Sequence, residues 1–220
     1  MIAVICALTG MAALLFTAEL MWHRKYISGE YARKFVHILG GSFVAFWPYF
    51  LSFQQIRWIA FATVIFWLLT RTMHISYALH DIKRSSIGEL LYPVSVLIVA
   101  LLAQQNWVFT ASILFLALAD GMAAVVGRKF GTKKMTYKVF GGKKTLQGSG
   151  AYLIYGYLIL IIAMLLGGTT AILHTPFLTL GWLPIVCVFL ENISPFGTDN
   201  LTVPLVVVMV LNFALTLSSL

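Results

Sequence analysis

The chain has 220 residues, of which 60% are hydrophobic and only 10% charged, with a formal net charge of +8. A mean hydropathy of +0.93 excludes a soluble domain, whose surface needs far more charge, and leaves an integral membrane protein. With no soluble face there is no nucleic-acid surface, so the positive balance points to anionic headgroups or phosphates.

A bilayer core about 30 Å thick takes roughly 20 apolar residues per helix. The length therefore predicts an all-α polytopic fold of seven or eight transmembrane helices, a single membrane domain over 1–220. Spans are expected near Ile2–Trp22, Phe35–Phe53, Trp58–Thr70, Leu90–Leu102, Val108–Val126, Ser149–Leu166, Leu178–Leu190 and Leu201–Leu217. The first lacks a basic leader and a small-residue cleavage site and reads as a retained helix. Cys6 and Cys187 lie in apolar segments without CxxC or His spacing, which supports neither a disulfide framework nor a zinc site.

Fourteen of the fifteen Lys and Arg residues fall in alternate intervals between spans. Residues 23–34 carry Arg24, Lys25, Arg33 and Lys34; residues 71–89 carry Arg71, Lys83 and Arg84; the basic loop 127–148 carries seven more. Only Arg57 lies on the other side. The positive-inside rule places the basic loops in the cytoplasm and both termini outside, as in a bacterial or archaeal inner membrane. The segment Met21–Tyr31, with Trp22 and Tyr26 flanking Arg24 and Lys25, reads as an interfacial helix.

The groups with chemical potential follow the same side. Arg33-Lys34-Phe-Val-His37 enters the second span, and the three- and four-residue spacings put its polar members on one helix face. The plain alternative is a pair of snorkelling charges, but His37 sits inside an apolar run. Ser86-Ile-Gly88-Glu89-Leu-Leu-Tyr92-Pro93 sets Glu89 at the start of a span, where an acidic group also suits a helix N-terminus. His74 and His80 read as exposed loop residues.

Asp120 closes the apolar run from Leu114 and precedes Gly121, Ala124 and Gly127. A carboxylate at membrane depth is costly and marks a functional site by default, whereas small residues three apart also serve close helix packing. Phe140-Gly-Gly-Lys143-Lys144-Thr145-Leu-Gln-Gly148-Ser149 offers freed backbone amides, paired cations and hydroxyls to an anion. It is not a Walker loop, because Lys143 stands where that pattern needs glycine and no strand is expected before it. In Glu191-Asn-Ile-Ser-Pro195-Phe-Gly-Thr-Asp199-Asn200, Pro195 and Gly197 break the helix and leave an acidic interval among basic ones. Hard oxygen ligands with substrate phosphates are how Mg²⁺ is held, and Asp199 or Thr198 also suits the N-cap of the last helix.

Together these blocks resemble the CTP-dependent lipid-alcohol kinases: dolichol (polyprenol), phytol and farnesol kinases and the CTP-dependent diacylglycerol kinase. The likeness runs from Arg33 to Pro204, through Arg33-Lys34-x-x-His37, Gly88-Glu89-x-x-Tyr92-Pro93, Asp120 to Gly131, Lys143 to Ser149, and Glu191 followed by Asp199-Asn200. The resemblance implies transfer of the γ-phosphate of CTP to a lipid hydroxyl, with CTP as co-substrate and a membrane lipid as acceptor. It implies nucleotide contacts from Gly127, Arg128, Lys143, Lys144, Thr145, Gly148, Ser149 and Asn200, and lipid or phosphate steering by Arg33, Lys34, His37 and Glu89. Asp120, Glu191 and Asp199 are the candidate catalytic and Mg²⁺-binding carboxylates, with Asp120 and Asp199 both open as the base.

The Asp120 and Lys-Lys-Thr blocks are also similar to phosphatidate cytidylyltransferases. Gly197-Thr-Asp199-Asn200 departs from that family's C-terminal signature, which carries a histidine and a second acidic residue. An anion transporter is the alternative of another class, opposed by the near absence of charge on the far side.

Overall fold

The computed structural model describes residues 1–27, 29–72, 87–139 and 142–220. Lys83, Arg84, His74, His80, Phe140 and Gly141 lie outside the described residues. The elements are α1 (Ile2–His23), α2 (Gly29–Ala45), α3 (Phe53–Thr72), α4 (Gly88–Leu102) and α5 (Asn106–Phe130). The hairpin β1 (Thr136–Val139) and β2 (Gly142–Thr145) follows, then α6 (Leu146–His174), α7 (Phe177–Ile193) and α8 (Asp199–Ser218).

Among the described residues, α1, α5, α6 and α8 are long and apolar enough to cross a membrane, and α3, α4 and α7 contribute shorter apolar stretches. The protein is an all-α membrane protein. α5 is its hub: 72% of its apolar window is buried, against 11% for α1. Phe109, Ile113, Phe115 and Leu116 of α5 are fully enclosed, with α2, α4, α6 and α8 packed around them. Large apolar side chains such as Phe16, Trp58, Phe66, Phe189 and Phe213 project outward, which is favourable where the solvent is lipid.

The intervals between helices gather at two ends. At one end Arg57 donates to the Ala100 carbonyl at 2.9 Å, Asn106 to the Pro48 carbonyl at 2.9 Å and Asn212 to the Leu102 carbonyl at 2.8 Å. At the other, the Ile87 amide donates to Phe196 at 3.2 Å and Asn200 to Gly88 at 2.9 Å. Charge and chemistry collect at this second end.

Three expectations are corrected. Met21–Tyr31 is not an interfacial helix: α1 runs to His23, the chain turns with Lys25 at φ 59°, and α2 opens on Gly29 at φ 54°. Left-handed residues end a right-handed helix. The second helix starts at Gly29 instead of Phe35, because Lys34 is drawn inside by a buried partner. The loop 127–148 holds an antiparallel hairpin, with Thr136 opposite Thr145 and Tyr137 opposite Lys144, so Lys143 and Lys144 lie on a strand and not in a glycine-rich loop.

Candidate active site

The first half of the site forms between α2 and α5. Lys34 and His37 share one helix face, and packing of α2 along α5 turns that face onto Asp120. Lys34 Nζ donates to Asp120 Oδ2 at 2.5 Å, both side chains almost wholly enclosed. His37 Nε2 donates to the Leu116 carbonyl at 2.9 Å and stands 3.3 Å from the same Asp120 oxygen. The Tyr92 ring of α4 stands edge-on to His37 at 5.2 Å. Such close approach requires Gly41, where a Cβ would meet the Tyr92 hydroxyl at 2.1 Å and Ala117 Cβ at 2.3 Å. Just before Asp120, Phe115–Ala119 form one wide π turn. The extra residue rotates everything after it about the helix axis, a feature common at functional sites.

The hairpin supplies the second half. Side chains alternate along a strand, so Lys143 faces outward while Lys144 turns in, half-buried, against Glu191. Lys144 Nζ pairs with the Glu191 carboxylate and donates to the Glu191 carbonyl at 3.2 Å. Burial is the largest single influence and works against the Lys144 ammonium. The Glu191 charge and hydrogen bond, joined by the Asp120 and Asp199 charges, together outweigh it and hold the Lys144 pKa above the ordinary lysine value. Thr145 is the N-cap of α6, its hydroxyl accepting from the Gly148 amide at 3.1 Å. α5 and α6 touch backbone to backbone here: a Cβ on Gly148 would stand 2.9 Å from the Ala123 carbonyl and 3.4 Å from Gly127 Cα.

A closed polar ring anchors the hairpin. The Tyr137 hydroxyl donates to Asn192 Oδ1 at 2.8 Å, Asn192 Nδ2 donates to Ser149 at 3.1 Å, and the Tyr137 and Ser149 hydroxyls lie 2.6 Å apart. One ring thus ties β1, the start of α6 and the end of α7, and it holds Lys144 against Glu191.

The third contribution is the turn between α7 and α8. Phe196 and Gly197 both have left-handed backbone, φ 55° and 86°, which for Phe196 costs about 1–2 kcal/mol. The bond from Ile87 to the Phe196 carbonyl helps to offset that cost. Thr198 occupies the N-cap position, but its hydroxyl donates back to Pro195 at 2.8 Å and caps nothing. Asn200 is held at both ends, its amide on Gly88 and its carbonyl accepting from Ser95 at 2.5 Å.

Asp120, Glu191, Asp199 and Asn200 line one crevice, closed on its inner side by Phe115, Leu116, Val203 and Tyr152. Its gaps total about 150 Å³ and leave no water-sized space. Two cations, one imidazole and three carboxylates therefore gather from four separate parts of the chain. The donor set suits Mg²⁺ shared with substrate phosphates: hard carboxylate oxygens line one crevice, while among the described residues no three side chains close around an ion by themselves. Glu89 lies exposed in the first turn of α4, outside the crevice lining but next to Gly88, which binds Asn200, and Arg33, Arg128 and Lys143 are exposed. Sequence reasoning missed Tyr137, Asn192 and Tyr152. Tyr152 was discoverable from its place three residues after Ser149 on one face of α6, and Asn192 from its adjacency to Glu191.

The chain is 32% identical over 215 residues to the phytol kinase of Synechocystis sp., covering 93% of this chain and 88% of that protein. It is 26% identical to phytol kinase 1, chloroplastic, of Arabidopsis thaliana, over 94% of this chain and 74% of the relative. A probable phytol kinase of Triticum aestivum matches at 26% over 94% of the chain and 75% of its own length. No protein-family model and no solved structure matches the chain.

Proposed function

We propose that this chain, which belongs to the phytol kinase family, transfers the γ-phosphate of CTP to the hydroxyl of a prenyl alcohol, at the cytoplasmic face of the cell's inner membrane. The named relatives run along nearly the whole chain and support a kinase acting on a lipid alcohol, over a phosphatidate cytidylyltransferase or an anion transporter. CTP as donor rests on the resemblance of the motif blocks, and the cytoplasmic side on the distribution of Lys and Arg. The observation that carries the reading is the meeting of Lys34, His37 and Asp120 with Lys144, Glu191 and Asp199 at one end of an apolar bundle.

Phosphoryl transfer asks a protein mainly for charge neutralisation and in-line positioning. Lys34 and Lys144 each rest on a carboxylate. An arriving triphosphate would offer both ammoniums new oxygen partners; Asp120 and Glu191 are the residues that would hold Mg²⁺, which would supply neutralisation of the phosphate charge. Arg128, Lys143 and the amide end of α6 at Thr145, Gly148 and Ser149 face the same charge from the hairpin side; Arg33 and Glu89 steer charge at the mouth. Gly127 acts indirectly, by letting α5 reach Gly148.

The acceptor oxygen attacks the γ-phosphorus, an O–P bond forms, and the bond to the β-bridging oxygen breaks to release the nucleoside diphosphate. The hydroxyl proton goes to a carboxylate. Asp120 is occupied by Lys34 and His37, whereas Asp199 has no ion pair among the described residues, so Asp199 is the better base.

Purified protein with Mg²⁺ and CTP labelled at the α- or γ-phosphate tests this against a panel of phytol, farnesol, a polyprenol, diacylglycerol and phosphatidate. Label reaching a prenyl alcohol from the γ position alone is expected. Label reaching phosphatidate from the α position would make the protein a cytidylyltransferase.

A further inference from the structure

The structure leaves one buried polar group in the crevice without work. Tyr152 is fully enclosed, and among the described residues its hydroxyl has no hydrogen-bond partner. Its ring stands 6.4 Å from that of Phe115, and it lines one crevice with Asp120, Glu191 and Asp199. An unpaired buried hydroxyl costs free energy in the ligand-free protein, and phenylalanine would fill the same space without that cost. A tyrosine here is therefore explained by a group that arrives with the ligand.

Depth identifies the group. Tyr152 stands seven residues beyond Thr145, the cap of α6, about 10 Å further along the helix at 1.5 Å per residue. Its surroundings there are mixed: carboxylates toward the loop end, Phe115, Leu116 and Val203 toward the interior. A triphosphate drawn to that depth loses hydration over several charges. An alcohol brings one neutral oxygen on a hydrocarbon chain, which matches one hydroxyl over an apolar floor.

We propose that Tyr152 marks the acceptor subsite, its hydroxyl hydrogen-bonding the oxygen of the lipid alcohol and holding it toward Asp199 while Phe115, Leu116 and Val203 receive the first carbons of the chain. This inference rests on the kinase reading above. The crevice leaves no water-sized space, so the helices around it must part to admit the alcohol.

The test is Tyr152→Phe in detergent micelles, assayed with phytol and CTP and, separately, for the shift in melting temperature that phytol produces without nucleotide. The variant is expected to fold with an unchanged or higher melting temperature. Its kcat/KM for phytol falls about tenfold, its KM for CTP stays put, and its phytol-induced shift shrinks. Unchanged phytol kinetics and an unchanged shift overturn the assignment, as does a rise confined to the KM for CTP, which would give the hydroxyl to the phosphates. A wild-type protein that neither phosphorylates nor is shifted by any prenyl alcohol overturns the kinase reading itself. A wild type that does both, beside an equally active variant, overturns Tyr152 alone.

Discussion

Lys34 and Asp120 stand 86 residues apart in the chain and 2.5 Å apart in the fold, each enclosed by apolar helices. Little of either charge reaches solvent, so each is the condition for the other's burial. Breaking a buried pair by removing one member costs about 3–5 kcal/mol, because the survivor keeps its desolvation penalty. Lys34→Met is expected to lower the melting temperature sharply and to abolish turnover. Asp120→Asn, which keeps shape and hydrogen bonding, is expected to abolish turnover with a smaller loss of stability. Thermal melts and assays of both variants check the difference in stability.

Among the described residues Asp199, unlike Asp120, forms no ion pair. Asp199→Asn is expected to leave the fold intact and to lower kcat about 10²–10⁴-fold, the contribution of a positioned base. The KM for CTP should move little. A kcat within a few-fold of wild type would remove Asp199 from proton transfer.

Strand geometry separates the two adjacent lysines. Lys144→Gln releases Glu191 as well as a cation and is expected to reduce kcat/KM for CTP at least about tenfold, or about 1.4 kcal/mol. Lys143→Gln, on the outer face, should cost less than about threefold, and its effect should fade with added salt. Equal losses from both would mean that the hairpin turns over on binding.

Glycines two residues apart are expected to behave oppositely. A Cβ on Gly148 presses on the backbone of α5, whereas one on Gly150 meets nothing within 4 Å. Gly148→Ala should therefore destabilise by about 1–3 kcal/mol, the cost of overpacking. Gly150→Ala should be neutral or stabilise by up to about 1 kcal/mol, since alanine is the better helix former. Melting temperatures of the two variants decide it.

The Lys144 pKa is raised in the fold because the Glu191 charge and hydrogen bond, with the nearby Asp120 and Asp199 charges, together outweigh the burial that opposes them. A lysine raised above its unfolded value of about 10.4 contributes stability that is fully present below that pH and is lost as pH rises through the folded value. The gap in melting temperature between wild type and Glu191→Gln should thus hold steady from pH 7 to about 10 and narrow above it. A gap that narrows between pH 7 and 9 would contradict the assignment.

Much of the architecture was legible in the chain. Each of the eight apolar runs corresponds to a helix, because hydropathy records directly which segments avoid water. The hairpin was not legible: Thr136–Val139 and Gly142–Thr145 are four residues each and rich in lysine, with no alternating apolar face to announce a strand. The turn at Lys25 was hidden for a related reason, since a left-handed lysine carries no compositional mark. Of the site, the charged blocks stood out as polar residues in apolar company. Tyr152, Tyr137 and Asn192 did not, because an aromatic residue in a membrane helix and an asparagine at a helix end are unremarkable until their neighbours are known.

Composition and spacing alone determined that the chain lives in lipid, that charge keeps to alternate intervals, and that Asp120, Glu191 and Asp199 stand out as carboxylates in apolar company. Those properties depend on transfer energies, which each segment carries by itself. The tertiary structure alone decided that Lys34 faces Asp120, that Lys144 and not Lys143 meets Glu191, and that Tyr152 closes the crevice with no hydrogen-bond partner among the described residues. Each of these depends on the rotation of one helix or strand against another, set by the approach that Gly41 and Gly148 permit and by the wide turn before Asp120.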